Sequence, residues 1–204
     1  MKLSILIPST IDRQEMTDKL RHHFQNQIHG LFDYQVEVLV DMDNKEVSIG
    51  AKRQRMLLAA SGEYVVMIDS DDWVPDYYVK SVLSALENGP DCIGHEIECS
   101  GTPGKHENVS IRYPEWCENK FAFDYIRTPY PKVPIKRSIC LEIGYKDLRY
   151  GEDHDFSIRL KQSGLIQKEN YIPKVLYFYR YKHAPHNEKY GIKSQSLRNQ
   201  RRHR

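Results

Sequence analysis

Three aspartates lie within four residues of one another, directly after a short apolar run. They are Asp69, Asp71 and Asp72 in the segment MIDSDDW. Mg²⁺ and Mn²⁺ take oxygen ligands and often bind through one or two carboxylates together with substrate phosphates. We therefore expect Asp69 and Asp71 to face a divalent metal and its substrate. We expect Asp72 to have a structural role instead, as the cap of a helix that begins near Pro75.

Two other acidic motifs are excluded by residue identity. An EF-hand loop requires a glycine at its sharp turn, and the segment DSDDWVPDYYVK contains no glycine. The D-x-D-x-T/V motif of dehalogenase-type phosphatases requires threonine or valine at the position that Trp73 occupies. The aspartates therefore favour a metal and substrate site of another kind.

A second acidic group follows Gly151. Glu152 and Asp153 begin the segment GEDHDFSIRLKQSG, whose pattern predicts a helix that ends at Gly164. A helix dipole stabilises ionised carboxylates at the N-terminus, whereas neighbouring acids raise the proton affinity of each carboxylate. A carboxylate under both influences could accept a proton from a hydroxyl nucleophile. The alternative is an acidic first turn without a catalytic role, which is common in helices.

Basic residues and histidines form two further candidate groups. Lys52 and Arg53 could face phosphates, or they could equally lie on the solvated face of their helix. The segment YFYRYKHAPH carries His183 just after a predicted strand. A histidine at that place could complete a metal shell, although a lone histidine is more often a surface residue.

Three short apolar runs predict the strands that position these groups. The runs LSILI, VEVLV and YVVMI are rich in β-branched residues and are each followed by small or acidic residues, as buried strands are. Helical patterns separate them, so the order β-α-β-α-β-α predicts parallel strands with helices on both faces. Ligands bind beyond the carboxyl ends of such strands. The residues expected to converge there are Ser9 and Thr10, Asp41 and Asp43, and Asp69 and Asp71.

The predicted helices have apolar faces and defined ends. Apolar residues recur every four positions over 16–28, and at helical spacing over 79–86. The helix between these two should begin after an N-cap at Ser48 and stop by Gly62. The second half of the chain is less regular, with strands at DCIGHEIEC and KVLYFYRY and a short helix at SICLEIGY. We expect loops and a β-hairpin over 100–135.

The composition is that of a soluble globular protein, with 40% hydrophobic and 28% charged residues in a chain of 204. This length suits one well-packed domain, and no apolar run approaches the roughly 20 residues of a membrane span. The N-terminal apolar stretch is too short for a signal peptide and contains Pro8. We therefore expect a cytoplasmic location, in the host cytoplasm if the protein is viral. The cysteines have no C-x-x-C spacing, which argues against a zinc ribbon.

The charge is small overall but uneven along the chain. The formal net charge of +2 argues against a molecule that binds polyanions with its whole surface. Residues 198–204, RNQRRHR, nevertheless hold four arginines and no acid. We expect residues 191–204 to form a basic tail that is either solvated or in contact with phosphates.

Taken in this order, the motifs resemble those of the family 2 inverting glycosyltransferases, which have the GT-A fold. SILIPST resembles the opening strand whose end holds the nucleotide, and VLVDMDN resembles the strand whose aspartate reads the base. Residues 50–73 are similar to the basic helix, strand and D-x-D motif of the family. GEDHDFSIRL resembles its acidic pair, and LYFYRYKH resembles its closing strand with a metal-facing histidine.

The resemblance spans about residues 3–186 and implies an architecture. We expect an α/β, Rossmann-like GT-A fold, with a mostly parallel sheet flanked by helices and an irregular acceptor-side half. A single domain would cover 1–190, with the nucleotide-sugar half at 1–98 and the acceptor half at 99–190. The sequence leaves the oligomeric state open.

The resemblance also implies a donor, a cofactor and site residues. The donor would be a nucleotide-sugar, with a UDP-sugar favoured, and the cofactor Mn²⁺ or Mg²⁺. The donor-binding residues would be Pro8, Ser9, Thr10, Arg13, Asp41, Lys52, Arg53, Asp69 and Ser70. The metal ligands would be Asp71, His183 and Asp69. Asp153 would be the catalytic base, with Glu152 as the other member of the catalytic pair. The sugar would be transferred to a hydroxyl with inversion.

The chain departs from the family pattern at two places, which leaves the identity of the base open. Gln54 follows Arg53 where the family usually has Asn, and Ile-Asp-Arg follows Thr10 in place of Tyr-Asn. Residues 100–135 would select the acceptor, which could be a saccharide, a lipid-linked glycan or a modified DNA base as in phage enzymes. The rival interpretation is a non-catalytic nucleotide- or nucleic-acid-binding protein with the same fold.

Overall fold

The structure is a computed structural model that describes residues 1–31, 35–100, 105–114, 116–118 and 124–180. The predicted basic tail at 191–204 lies outside the described residues. The strands are β1 Leu3–Thr10, β2 Val36–Asp43, β3 Tyr64–Met67, β4 Cys92–Ser100, β5 Lys105–Val109, β6 Trp116–Glu118, β7 Tyr125–Arg127, β8 Ile135–Lys136 and β9 Glu169–Arg180. The α-helices are α1 Gln14–Ile28, α2 Ile49–Ala59, α3 Tyr78–Leu86, α4 Arg137–Ile143 and α5 Glu152–Ser163.

The first three strands are parallel and lie side by side, as predicted. The order is β2-β1-β3, and β1 is fully buried up to Ser9 because it lies between the other two strands. The register pairs Pro8 with Asp41 and Thr10 with Asp43. Since parallel strands end at the same edge, this register brings the polar strand ends together.

The helices follow the predicted apolar patterns. On α1 the residues Leu20 and Phe24 are buried, and the Phe24 ring meets the ring of Tyr78 on α3 edge to face. The second helix begins at the predicted cap, where the Ser48 hydroxyl accepts a hydrogen bond from the Ala51 amide at 3.0 Å. That bond satisfies one of the amides that a helix leaves unpaired at its N-terminus.

A close approach fixes the position of α2. A methyl group at Gly50 would lie 1.9 Å from the carbonyl oxygen of Lys146, so only glycine fits there. The amide of Gly50 also donates to the carbonyl of Leu148 at 3.1 Å. The backbone before α5 is thereby held directly against the first turn of α2.

The second half of the chain continues the same sheet with mixed strand directions. The full order is β2-β1-β3-β8-β4-β5-β7-β6, and β9 pairs with β4 in parallel. The strands β4 and β5 form an antiparallel pair, and so do β6 and β7. An α/β sheet with helices and an irregular second half is therefore confirmed.

The predicted cap at Asp72 is wrong. The helix α3 begins only at Tyr78, and Tyr77 at its N-cap makes no side-chain capping bond. Asp72 lies too far before that helix and is 2% exposed. It instead accepts hydrogen bonds from the Tyr177 hydroxyl at 2.6 Å and from the Arg180 amide at 2.8 Å. The Asp72 carboxylate therefore binds the end of β9 and does not cap α3.

Among the residues that the structure describes, no helix has the length and apolar character needed to cross a bilayer.

Candidate active site

The ends of β1 and β2 are joined by a buried lysine from α2. The ammonium group of Lys52 donates to the carbonyl oxygen of Ser9 and, at 2.8 Å, to a carboxylate oxygen of Asp43. Lys52 is only 3% exposed. The alternative that Lys52 and Arg53 form a solvated helix face is therefore wrong. Thr10 ends β1 directly beside this ion pair.

Arg53 is the second buried cation of α2, and it connects β3 to α5. Its Nη2 donates to Oδ1 of Asp69 at 2.9 Å, and its Nε lies 3.3 Å from Oε1 of Glu152. Burial raises the pKa of Glu152, while the charge of Arg53 opposes that rise. The guanidinium group thus contacts both the predicted metal-binding loop and the predicted catalytic helix.

Asp69 lies between two cations. Its Oδ1 pairs with Arg53 and its Oδ2 lies 2.9 Å from the ammonium group of Lys132. Burial alone would raise the pKa of Asp69, but the charges of Lys132 and Arg53 outweigh it and lower that pKa to about 2. Asp69 is therefore ionised at any physiological pH.

Sequence reasoning missed Lys132 entirely. Its ammonium group lies 2.6 Å from Oδ2 of Asp72 and stands over the rings of Tyr177 and Tyr179, at 4.6 and 4.1 Å from their centroids. Burial lowers the pKa of Lys132, but the charges of Asp69 and Asp72 raise it well above its ordinary value. Lys132 comes from the irregular segment PYPKVP, which shows no periodicity and no motif that could have identified it.

Asp71 is the aspartate of the cluster that no buried cation contacts within the described residues. Its carboxylate forms an ion pair with Nη1 of Arg13 at 3.1 Å, and the side chains of Asp71 and Arg13 are 21% and 42% exposed. Among the described residues, no group of three histidines, cysteines, aspartates or glutamates gathers as a metal site. His183, the other predicted ligand, lies outside the described residues. Asp71 nevertheless suits Mg²⁺ or Mn²⁺, because these ions often bind one carboxylate together with substrate phosphates.

Of the two acids in the predicted catalytic pair, one is buried and the other is partly exposed. Gly151 adopts φ of 78° directly before α5, a conformation that favours glycine. Glu152 is 5% exposed and is bound to Arg53, whereas Asp153 is partly exposed and accepts a hydrogen bond from the His154 amide at 2.8 Å. Both carboxylates lie at the N-terminus of α5, where the helix dipole favours their charged forms.

The outer rim of the site is formed by the end of β2. Arg55 donates to both carboxylate oxygens of Asp41, and its Nη2 lies 3.5 Å from Asp43. Pro8 is paired with Asp41 in the sheet, so the two lie side by side at the strand ends. The rim is thus charged, and Arg55 is half exposed.

Several buried polar atoms at this edge have no protein hydrogen-bond partner within the described part of the chain. Among them are Nη1 of Arg53 and the hydroxyl groups of Thr10 and Ser70. A buried donor without a partner costs about 1–3 kcal/mol. Such unpaired donors beside Asp69 and Asp71 are suited to the oxygen atoms of a bound ligand.

Comparison with known proteins agrees with this arrangement. Residues 11–141, more than half of the chain, match the family described as glycosyl transferase family 2. A comparison with curated protein sequences finds no match.

Solved structures of S. aureus TarS share the fold. The structure of TarS 1-349 in complex with UDP-GlcNAc has a TM-score of 0.66 and 14% identity, over 92% of this chain and 61% of that chain. The complex of TarS 1-349 with UDP has a TM-score of 0.67 and 17% identity, over 94% of this chain and 63% of that chain. A longer TarS structure has a TM-score of 0.65 and 16% identity, over 94% of this chain and 38% of that chain. This chain thus spans less than two thirds of each TarS chain.

The family match includes the ends of β2 and β3, the two buried cations of α2 and the aspartate cluster, and the shared fold covers 94% of the chain. The chain has the GT-A fold and belongs to glycosyl transferase family 2.

Proposed function

We propose that this protein transfers a sugar from a nucleotide-sugar, a UDP-sugar in the first instance, to a hydroxyl acceptor with inversion. One observation carries the proposal: Arg53 forms ion pairs with both Asp69 of the D-x-D segment and Glu152 beside Asp153. A donor-binding carboxylate and the neighbour of the candidate base are therefore held by the same buried cation. Family membership and the UDP-GlcNAc and UDP complexes of TarS support the choice of donor.

The donor would lie across the ends of β1, β2 and β3. Its nucleoside would contact the strand-end residues and its diphosphate would lie near the basic groups of α2. The residues proposed for the nucleoside are Pro8, Ser9, Thr10 and Asp41, and those proposed for the diphosphate side are Arg13, Lys52, Arg53 and Ser70. Arg53 has one unpaired buried donor for a diphosphate oxygen, and Ser70 has an unpaired hydroxyl. Asp69 would accept a hydrogen bond from a ribose or sugar hydroxyl.

The proposed cofactor is Mn²⁺ or Mg²⁺, held mainly by Asp71. When bound, the ion supplies positive charge that offsets the charge developing on the leaving diphosphate. Asp69 already neutralises two protein cations, so its share in metal binding is proposed to be smaller than that of Asp71. His183 remains the proposed second ligand.

Asp153 is the proposed base. Its carboxylate would accept the proton of the acceptor hydroxyl while that oxygen forms a bond to the anomeric carbon. The bond from the anomeric carbon to the diphosphate breaks on the opposite face, so the configuration inverts. Glu152 is less suited to this step because Arg53 and burial enclose its carboxylate. Its proposed role is to orient Arg53 beside the base.

The substitution Asp153→Asn tests this assignment. We expect it to abolish sugar transfer while leaving UDP affinity in the presence of Mn²⁺ unchanged, as measured by titration calorimetry. Asp155→Asn is the matched control, because Asp155 lies on the same turn but bonds Lys146 and Arg159, at 2.6 and 2.8 Å. Transfer at a normal rate by Asp153→Asn would show that the base is another residue.

The acceptor class and the rival function need their own assay. Incubation with several nucleotide-sugars should show slow metal-dependent hydrolysis if the protein is a transferase. Absence of hydrolysis, together with no Mn²⁺-dependent thermal shift with any nucleotide, would favour the non-catalytic rival. A saccharide acceptor is separated from a DNA base by salt-dependent DNA binding of the full chain and of a chain without residues 198–204. No DNA affinity in either form would exclude the DNA acceptor.

A further inference from the structure

Lys132 is a buried cation of the site that the proposed reaction does not use. Its side chain is 8% exposed, and its ammonium group contacts both Asp69 and Asp72, at 2.9 and 2.6 Å. The segment that carries it is fixed to the sheet, since the carbonyl of Pro131 accepts a hydrogen bond from the Met67 amide at 2.8 Å. The lysine is therefore held in place from both ends of its side chain.

Around Lys132 the loop from Asp69 to Asp72 is tied to β9. The Tyr177 hydroxyl accepts a hydrogen bond from the Asp69 amide at 3.2 Å and donates one to Asp72 at 2.6 Å. The Arg180 amide donates to the other oxygen of Asp72 at 2.8 Å. Every polar contact of this network thus anchors Asp69 or Asp72, and none involves Asp71.

Two carboxylates this close, one buried and one partly buried, require a cation between them. Without the ammonium group, the like charges of Asp69 and Asp72 would repel each other in a poorly solvated place. Lysine suits this position because its compact ammonium group can donate to two carboxylates from one point, whereas a guanidinium fork is planar and larger. Loss of the cation is therefore expected to change the conformation of the loop that carries Asp71.

We propose that Lys132 is a positioning residue for sugar transfer, which anchors Asp69 and Asp72 so that Asp71 is presented to the metal and the donor diphosphate. The proposal rests on the proposed function of the site. It assigns to the acceptor-side half of the chain a direct influence on donor binding, through one side chain.

The test uses the full chain with Lys132→Met and Lys132→Arg. The matched control is Lys136→Met, because Lys136 lies four residues further along and forms a single ion pair with Asp91 at 2.8 Å. For Lys132→Met we expect the donor KM and the half-saturating Mn²⁺ concentration to rise by at least about tenfold, on the scale of one buried charged hydrogen bond. Lys132→Arg should recover part of the loss, and Lys136→Met should stay within about twofold of the wild type.

A purely structural role would give a different pattern. It would lower the melting temperature of Lys132→Met while the folded fraction kept the wild-type donor KM and Mn²⁺ dependence, and that result would overturn the proposal. If Lys132→Met does not fold, the same comparison is made with Lys132→Arg and with Tyr177→Phe. The second variant removes the hydroxyl group that bonds Asp69 and Asp72. An unchanged donor KM and an unchanged Mn²⁺ dependence in both variants would also overturn the proposal. Failure of the wild-type protein to bind UDP or hydrolyse any donor would instead refute the proposed function, and this inference with it.

Discussion

Removal of the Arg53 guanidinium group should destabilise the protein far more than removal of a neighbouring exposed one. Arg53 is 4% exposed and pairs with Asp69 at 2.9 Å and Glu152 at 3.3 Å. Breaking a buried ion pair by removing one partner costs about 3–5 kcal/mol, because the remaining charge stays buried. In Arg53→Met, Asp69 keeps Lys132 as a partner, so we expect the lower end, about 3 kcal/mol. In a domain of this size that loss corresponds to a fall in Tm of about 6–12 °C.

Urea unfolding at pH 7, followed by circular dichroism, measures this loss, and Arg55→Met is the matched control. Arg55 lies two positions away on α2, but its side chain is 49% exposed and its partner Asp41 is at the rim. Exposed pairs contribute about 0–1 kcal/mol. Equal losses of free energy of unfolding in the two variants would refute the view that Arg53 joins the two halves of the site.

The same variant should show a characteristic pH dependence. Without Arg53, the destabilising species is ionised Glu152, whose pKa burial already raises above its usual range. A raised acid pKa means that the folded state binds a proton more readily than the unfolded state, so the deficit of Arg53→Met should shrink as the pH is lowered toward 5. The double variant Arg53→Met/Glu152→Gln should recover part of the loss at pH 7.

Two further predictions concern the framework of the site. Burial lowers the pKa of His95 from 6.5 to about 4. Between these pH values the unfolded chain binds one more proton than the folded chain. The folded state therefore loses stability as the pH decreases through that window. His95→Gln should remove about 2 kcal/mol of the difference in unfolding free energy between pH 7 and pH 4.5, as measured by urea titration. An equal difference in both proteins would contradict the assignment. Gly50→Ala should cost about 1–3 kcal/mol, because the added methyl group would meet the Lys146 carbonyl at 1.9 Å. If Gly50→Ala is as stable as the wild type, the backbone at Lys146 can move away from the added methyl group at no cost.

The parts of the fold that local pattern determines could be predicted from the sequence. The strand runs, the Ser48 cap and the apolar stripe through Leu20 and Phe24 all appear where the residues indicated them. Each depends on neighbours within a few positions along the chain, so periodicity and capping rules apply directly. The convergence of the strand ends at Thr10 and Asp43 followed from the parallel topology alone.

The parts that failed or were missed depend on contacts between distant segments. Asp72 had the local pattern of a helix cap, but Tyr177 and Arg180 lie 105 and 108 residues further along and bind it more completely. Lys132 meets Asp72 across 60 residues from a segment without periodicity. No local rule ranks one lysine among 30 basic residues as the buried one. Lys132 is buried because the segment before β8 bonds the end of β3 and because β9 places Tyr177 and Tyr179 beside its ammonium group.

The distribution of charge within the site identifies which acids remain available for chemistry. Asp43 is bound by Lys52, Asp69 by Arg53 and Lys132, Asp72 by Lys132, and Glu152 by Arg53. These buried pairs leave Asp71 and Asp153 as the acids of the two motifs that no buried cation contacts within the described residues. A buried cation beside Asp71 would compete with a metal, and one beside Asp153 would weaken it as a proton acceptor. Within the described residues, the buried cations that stabilise the site therefore do not contact the two carboxylates for which we propose metal binding and proton transfer.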